Sequence, residues 1–482
     1  MQIISRYATL NHQLYHCQTP IPLDGEPIAG HFNIKLAEQL QWTTQEQSAW
    51  LDYCSGHQTF AEFPSLAMVY AGHQFGQWAG QLGDGRGLLL AQLYDKQGNI
   101  IDLHLKGAGK TPYSRMGDGR AVLRSTIREY LAGHVLTELG VASSQAIGFC
   151  TSHQRIQRDG LERGAMLLRT ADSHIRFGHF EWIRQYQPDL LAEFTKKCIE
   201  WHYPHCTEEE IPILAFVREV IRNTASLIAH WQLVGFAHGV MNTDNMNITG
   251  STLDFGPFEF MERFRPARIH HHSDHQGRYV YQNQPAIAHW NLWAWLNTLI
   301  PLAPQGISKK QFQQQLLDCL ENFEDYFLDT YQQGLAQKMG LPDFHVDSWD
   351  CGLAFLNILK QEQLDYSQSF ILLQQQRFDD LRQQCLDTRA FDNFKQQYDN
   401  IRENQDINSL NQTMQQVNPY YILRKHQLQT AIEQAEQLDF SEVERLFELV
   451  KNPYQIKPDL EKPSDIAPQP KSMPEVVLSC SS

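Results

Sequence analysis

The sequence lacks several features that would have settled its class at once. No apolar run approaches the roughly 18 consecutive residues that a membrane span requires. Basic residues are in the minority, 40 Lys and Arg against 55 Asp and Glu, and the net charge is −15. That balance argues against a general nucleic-acid binder, because contacts to a phosphate backbone need a basic surface; it leaves room for a local basic pocket around a nucleotide. The nine cysteines, Cys17 through Cys480, are scattered and never spaced as CxxC. A disulfide framework or zinc knuckle is thereby excluded, and buried thiols in a reducing compartment are expected. The segment from Met1 to Pro20 has neither an apolar signal core nor the Arg- and Ser-rich, acid-poor pattern of a transit peptide. The expectation is a cytoplasmic protein with no membrane or nucleic-acid partner, monomeric by default. No internal repeat is found.

What is present is 482 residues with 42% hydrophobic content, enough for a large core and roughly two to four domain-sized units. Glycine is dense from Gly72 to Gly87 and is followed by two strand-like runs, Leu88 to Tyr94 and Ile100 to Lys106, around a Lys96-Gln97-Gly98-Asn99 turn. In the second run Ile101, Leu103 and Leu105 share one face, and Asp102, His104 and Lys106 share the other. Helical periodicity is expected over Val122 to Leu139, Ile213 to Leu233 and His289 to Leu302. Beyond about residue 305 the chain is rich in Gln and Leu at helical spacing, and from Asn452 the prolines predict an extended or disordered tail. A glycine loop, a hairpin, a helix and a mostly helical remainder predict an α+β, two-lobed protein-kinase-like fold with an enlarged C-terminal lobe. The expected units are an N-terminal extension over 1–60, an N-lobe over 61–180, a helical C-lobe over 181–452 and a Pro-rich flexible tail over 453–482.

The segment Lys106-Gly107-Ala108-Gly109-Lys110-Thr111 invites a phosphate-loop reading, but His104 stands where that motif needs its first glycine. A better pairing sets the glycine loop Gly83-Asp84-Gly85-Arg86-Gly87 beside Lys106. Backbone amides then approach phosphates closely, the lysine neutralises them, and Glu129 on the next helix orients the lysine through an ion pair. The second constellation is an Asp244-Asn245 loop after an apolar helix, followed nine residues on by Asp254 in Leu253-Asp254-Phe255-Gly256. An amide oxygen and a carboxylate at that separation suit one shared Mg²⁺ ion. A protein kinase places its catalytic Asp five residues before the Asn, where this chain has Val240, so ordinary γ-phosphoryl transfer is disfavoured. Arg169 and Arg176 add two planar forks suited to phosphate oxygens. The run His270-His271-His272-Ser273-Asp274-His275 reads as a substrate-facing or structural loop rather than a metal site.

With these residues assembled, the chain resembles the selenoprotein O family, a pseudokinase-fold group of protein adenylyltransferases. The resemblance is carried by Tyr70-Ala71-Gly72-His73-Gln74-Phe75-Gly76, Gln81-Leu82-Gly83-Asp84-Gly85-Arg86, Leu105-Lys106-Gly107-Ala108-Gly109 and Gly117-Asp118-Gly119-Arg120-Ala121. It continues through Arg128-Glu129, Met241-Asn242-Thr243-Asp244-Asn245-Met246, Leu253-Asp254-Phe255-Gly256-Pro257-Phe258 and His272-Ser273-Asp274-His275-Gln276-Gly277-Arg278-Tyr279. The resemblance implies ATP bound in reverse relative to kinases, with AMP passed to Ser, Thr or Tyr hydroxyls of proteins and pyrophosphate released. It implies a nucleotide site of Gly83, Gly85, Arg86, Lys106, Asp118, Gly119, Arg169, Arg176 and Asp254, with Glu129 orienting Lys106. Asn245 and Asp254 would hold Mg²⁺, with Mn²⁺ as the alternative, and Asp244 would be the general base. UTP in place of ATP is left open, as are a kinase-type phosphotransferase and a non-catalytic nucleotide-binding scaffold. The terminal Cys480-Ser481-Ser482 matches the cysteine form of the family, which makes Cys480 a candidate redox residue; the activation-loop position where some members carry a partner cysteine is His270 here.

Overall fold

The computed structural model describes residues 2–158, 160–343 and 346–469. Its first half is organised by a nine-stranded antiparallel sheet. The central path runs Tyr15–Cys17, Leu66–Met68, Gly87–Tyr94, Ile100–Lys106, Leu161–Ala171, Gln145–Gln157 and Ile28–Phe32, with Ile3–Ile4 on Gly87–Tyr94 and Ala121–Val122 on Leu161–Ala171. The stretch 1–60 thus contributes three strands to the sheet. Its short helices also bring Leu36, Leu40, Trp42 and Tyr53 beneath one sheet face, against Leu88, Leu90, Leu103 and Leu105. The other face is covered by the helix Leu123–Glu138, which is buried nearly all round because the C-terminal helices Lys425–Glu436 and Ser441–Val450 close over its far side.

The strand Ile100–Lys106 alternates as expected, but its polar face is not solvated. Asp102, His104 and Lys106 are all buried. Both faces of the strand are interior, one apolar and one polar, so the alternation marks a buried site rather than a surface.

The glycine-rich stretch differs from its reading as a loop. Most of it is a hairpin of Ala71–Gln74 and Gln77–Gln81, turning on Phe75 (φ 52°) and Gly76 (φ 81°). Two successive positive φ values give the turn that matches strand twist, and a Phe-Gly pair in place of Asn-Gly hid the signal. Only residues 82–86 remain a loop.

From Phe177 onward the chain is mainly helical, apart from the loop-rich stretch 234–280 with its short strand pair Phe236–Ala237 and Glu259–Phe260. Pro212–Leu233, with Phe216, Val220, Ile228 and Trp231 buried, packs chiefly against Phe323–Met339 and also against Gln284–Leu299, the latter starting five residues before its expected bound. A separate core forms among the helices between Phe323 and Val417. No helix among the described residues is long and apolar enough to cross a membrane. Of the eight described cysteines only Cys17 is exposed, and all are free thiols; Cys480 lies outside the described residues.

The tail departs from expectation over 453–469, which is packed rather than disordered. Pro463 opens a short helix to Ile466, a position that needs no backbone N–H. The carboxylate of Asp465, fully buried, accepts from Arg445 (2.8 Å), Gln427 (2.7 Å) and the backbone N–H of Lys462 (2.7 Å). Arg424 Nε donates to the Asp465 carbonyl at 3.2 Å. Proline density predicts an irregular path, not the absence of anchors. Asp465→Ala leaves Arg445 with Glu442 alone and takes the acceptor from Gln427 and from the Lys462 N–H, so stability should fall by about 2 kcal/mol, read as a fall in the thermal denaturation midpoint together with protease sensitivity confined to this end. An unchanged midpoint would mean the anchor is dispensable.

Candidate active site

Between the sheet and the helices lies a cavity of about 830 Å³, within the size range of ligand pockets. Its walls come from separate stretches that include the loop 82–86, the end of the Ile100–Lys106 strand, the irregular segment 113–120, Arg169 and Arg176 flanking the turn after Leu161–Ala171, and the loops at 240–245 and 254–257. Lys106 and Asp254, distant in sequence, therefore face one enclosure. Every residue expected at the nucleotide or metal, from Gly83 to Asp254, lines this cavity, as does Asp244; Glu129 stands directly behind Lys106.

At the inner end the charges form one chain. Glu129, midway along Leu123–Glu138, is ion-paired with Lys106 through Oε2 and accepts from Arg169 Nη1 through Oε1 at 3.1 Å. Arg169 Nη1 also reaches Asp254 Oδ1 at 2.6 Å, and Arg176 holds Asp254 Oδ2. Arg176 Nη1 further donates to the carbonyl of Asp244 at 2.8 Å, and its guanidinium lies 4.9 Å over the Tyr70 ring. Burial alone would raise the Asp254 carboxyl, but Arg176 and Arg169 outweigh it and keep the group ionised, well below the usual carboxylate range. Burial likewise lowers Lys106, against the pull of Glu129. Arg86 is half-buried in the wall, has no carboxylate partner among the described residues, and spends its carbonyl on the N–H groups of Gly107 and Ala108.

Two glycines are dictated by close approach. At Gly83 (φ 144°) a Cβ would lie 2.6 Å from the Tyr113 ring, so the loop 82–86 rests on the segment 113–114. At Gly119 (φ 74°) a Cβ would lie 2.2 Å from the Gly109 backbone. Beside it the Asp118 carboxylate is held by both Arg158 nitrogens at 2.8 Å. Gly119→Ala must displace this wall, and ATP affinity should fall by one to two orders of magnitude, roughly 1.4–3 kcal/mol, in a titration calorimetry experiment. Undiminished affinity would place the nucleotide elsewhere.

At the outer end Asp244 sits in a 3₁₀ turn, Thr243–Asn245, with Oδ2 accepting from Gln74 Nε2 at 3.0 Å and Oδ1 buried without a partner. Burial pushes its carboxyl up to about 6, opposed by the Gln74 hydrogen bond and Arg176. Asn245 donates to the Val240 carbonyl at 2.9 Å, which leaves its amide oxygen available. Asp254 holds a left-handed conformation (φ 54°), Phe255 is fully buried, and Arg128 fastens the turn by donating to the carbonyls of Gly256 (3.2 Å) and Phe258 (2.5 Å). The donor set of one amide oxygen and one carboxylate is hard, oxygen-only and incomplete without phosphate oxygens, which fits Mg²⁺ bound with a nucleotide. Among the described residues no cluster of three or more His, Cys, Asp or Glu forms a self-sufficient metal site, and the His270–His275 loop packs instead, His271 Nδ1 meeting the Gly239 carbonyl at 3.2 Å.

The sequence reading missed the support of Arg169. His104 Nδ1 faces its Nε at 3.4 Å, and His104 Nε2 faces Asp84 Oδ2 at 3.4 Å. Burial and Arg169 lower His104 to about 4, so it stays neutral and able to accept. The available signal was the strand face it shares with Lys106. Gln74 and Arg158 carried no such signal.

The sequence profile of the family described as protein adenylyltransferase SelO matches residues 5–451. The protein nucleotidyltransferase YdiU of Vibrio parahaemolyticus is 40% identical, covering 99% of this chain and 98% of its own length. Its namesakes from Aliivibrio fischeri and Yersinia pseudotuberculosis are each 41% identical, covering 100% and 99% of this chain and 99% and 98% of their own lengths. A profile match across nearly the whole length, with relatives of this identity aligned end to end, shows that the chain belongs to the SelO family of protein adenylyltransferases.

Proposed function

We propose that this protein binds ATP in the cavity on a two-lobed, kinase-like frame and transfers AMP to Ser, Thr or Tyr hydroxyls of other proteins, with the nucleotide reversed relative to a kinase. The observation that carries this reading is the arrangement of charge along the cavity. Lys106 and Arg169 form a cationic end held by Glu129, and the chain of ion pairs runs through Asp254 to Arg176, which reaches the carbonyl of Asp244, the acceptor-type carboxylate next to Asn245. A γ-phosphate in the cationic end leaves the α-phosphate nearer Asp244. The position a kinase reserves for its acid is Val240, which also lines the cavity and cannot move a proton.

In this reading Gly83, Gly85, Arg86, Asp118 and Gly119 cradle the triphosphate, and Glu129 keeps Lys106 and Arg169 aimed. Asn245 and Asp254 hold Mg²⁺ or Mn²⁺, which supplies charge neutralisation of the phosphates when bound. Asp244 Oδ1, free of other partners, takes the proton of the acceptor hydroxyl as its oxygen bonds to Pα. The bond from Pα to the bridging oxygen breaks, and the cations stabilise the charge gathering on pyrophosphate.

ATP labelled at either the α or the γ phosphate, with Mg²⁺ and a protein acceptor, tests it. Protein-bound label from α alone is expected. Label from γ would mean phosphorylation, and ATP binding without either would mean a scaffold.

A further inference from the structure

Arg278 is the unusual cation of the acceptor side. It is half-buried, has no carboxylate partner among the described residues, and its Nε is buried without any hydrogen bond. The nearest acid in sequence, Asp274, is spent on the backbone N–H groups of Arg278 (2.8 Å) and Tyr279 (2.7 Å). The guanidinium is nevertheless firmly placed. It lies 4.8 Å over the Trp290 ring, and the Phe75-Gly76 turn presses against it so closely that a Cβ on Gly76 would stand 3.1 Å from Cζ. A half-buried, fixed guanidinium whose buried Nε donates to nothing is poised for an anion that completes it at some stage of function.

The surroundings say where that anion comes from. The Phe75-Gly76 turn belongs to the hairpin whose Gln74 touches Asp244 and whose Phe75 lines the cavity. The Phe75 N–H is held by Tyr279 Oη at 2.9 Å, and Tyr279 in turn donates to Asn242 in the cavity wall. The turn, Arg278 and the proposed base are therefore one rigid unit. Beside it, Phe75, Trp78 and Trp293 each leave about two-fifths or more of their surface exposed (39%, 43% and 45%). His73 packs between Trp78 and Trp290, with ring centroids at 5.2 and 5.4 Å. A cation set in an aromatic platform and joined to a reaction cavity is the pattern of a docking site for an acidic, partly apolar segment.

We propose that Arg278 and this aromatic platform form the acceptor-docking surface, and that they select a polypeptide segment carrying an Asp or Glu close to the hydroxyl that is modified. The inference rests on the proposed transferase reading for the hydroxyl but not for the binding. The carboxylate of the segment completes Arg278, and its neighbouring apolar side chains lie on Phe75 and Trp78.

The test uses the full-length protein with Mg²⁺ and a non-hydrolysable ATP analogue. Fluorescein-labelled peptides carry a single Ser flanked by Leu, with Asp, Asn or Lys placed at successive distances on either side. Anisotropy titration should show the best Asp peptide binding about tenfold tighter than its Lys counterpart. Arg278→Gln, which removes the charge, should abolish the preference, and Arg278→Glu should reverse it, with ATP affinity unchanged in both. Equal binding of the Asp and Lys peptides, or a preference that survives Arg278→Gln, overturns the proposal. If the acidic preference is present and depends on Arg278 but α-label is never transferred, the docking surface stands and the transferase reading falls.

Discussion

Asp254→Ala is expected to reduce AMP transfer by at least about a thousandfold, because a single carboxylate serves two purposes here. It is one of the two residues proposed to hold the metal, and it neutralises Arg169 and Arg176 where they converge. Its removal leaves Arg176 without a carboxylate and Arg169 with Glu129 alone, which Lys106 also holds. The folded protein without nucleotide should therefore lose about 3–5 kcal/mol of stability. Pyrophosphate should restore much of that loss, since it supplies to the same two arginines the anion the mutation removed, and ligand linkage converts binding into stability. Transfer measured with α-labelled ATP, and denaturation midpoints with and without pyrophosphate, decide the matter. A variant with full activity, or one destabilised yet indifferent to pyrophosphate, would remove Asp254 from the centre of the site.

The same carboxylate shows how far the sequence could be read. Asp254 and Asn245 were legible because a short-range pattern, loop then Asp-Phe-Gly, carries a fixed chemistry at fixed spacing. Lys106 was legible from strand alternation and Glu129 from helical position, both periodic signals. The hairpin of Gly87–Tyr94 and Ile100–Lys106 and the helical remainder follow from the same periodicities, whereas the long hairpin of Gln145–Gln157 and Leu161–Ala171 went unread. What stayed hidden depends on contacts between distant segments. Asp84 looks like one more polar residue in a glycine loop until the fold sets it against His104, and through His104 against Arg169. Arg158 acquires meaning only when the bend after Gln145–Gln157 brings it to Asp118. The packed stretch 453–469 was missed for a related reason. Its anchor, Asp465, is a single residue whose partners Arg424, Gln427 and Arg445 lie on helices that pattern alone cannot bring near it.

Asp244→Asn should separate binding from chemistry more sharply than any other change. The substitution keeps volume and shape, which this position requires: a Cβ on Gly72 would already stand 2.7 Å from Asp244 Oδ1, so nothing larger fits. An asparagine oxygen can still accept from Gln74, while its amide end replaces the partnerless Oδ1. Exchanging a buried carboxylate with one empty oxygen for a neutral amide removes a desolvation cost, so stability should be equal or higher. ATP affinity should change by less than about threefold, because Arg169, Arg176 and Lys106 are untouched. An amide cannot accept the hydroxyl proton, so kcat should drop about 10²–10⁴-fold, the usual worth of a positioned general base. Single-turnover transfer from α-labelled ATP, set beside a calorimetric ATP titration of the same sample, reads both quantities. A fall in affinity that matches the fall in rate would make Asp244 a nucleotide ligand; an undiminished rate would move the base to another group on the acceptor side.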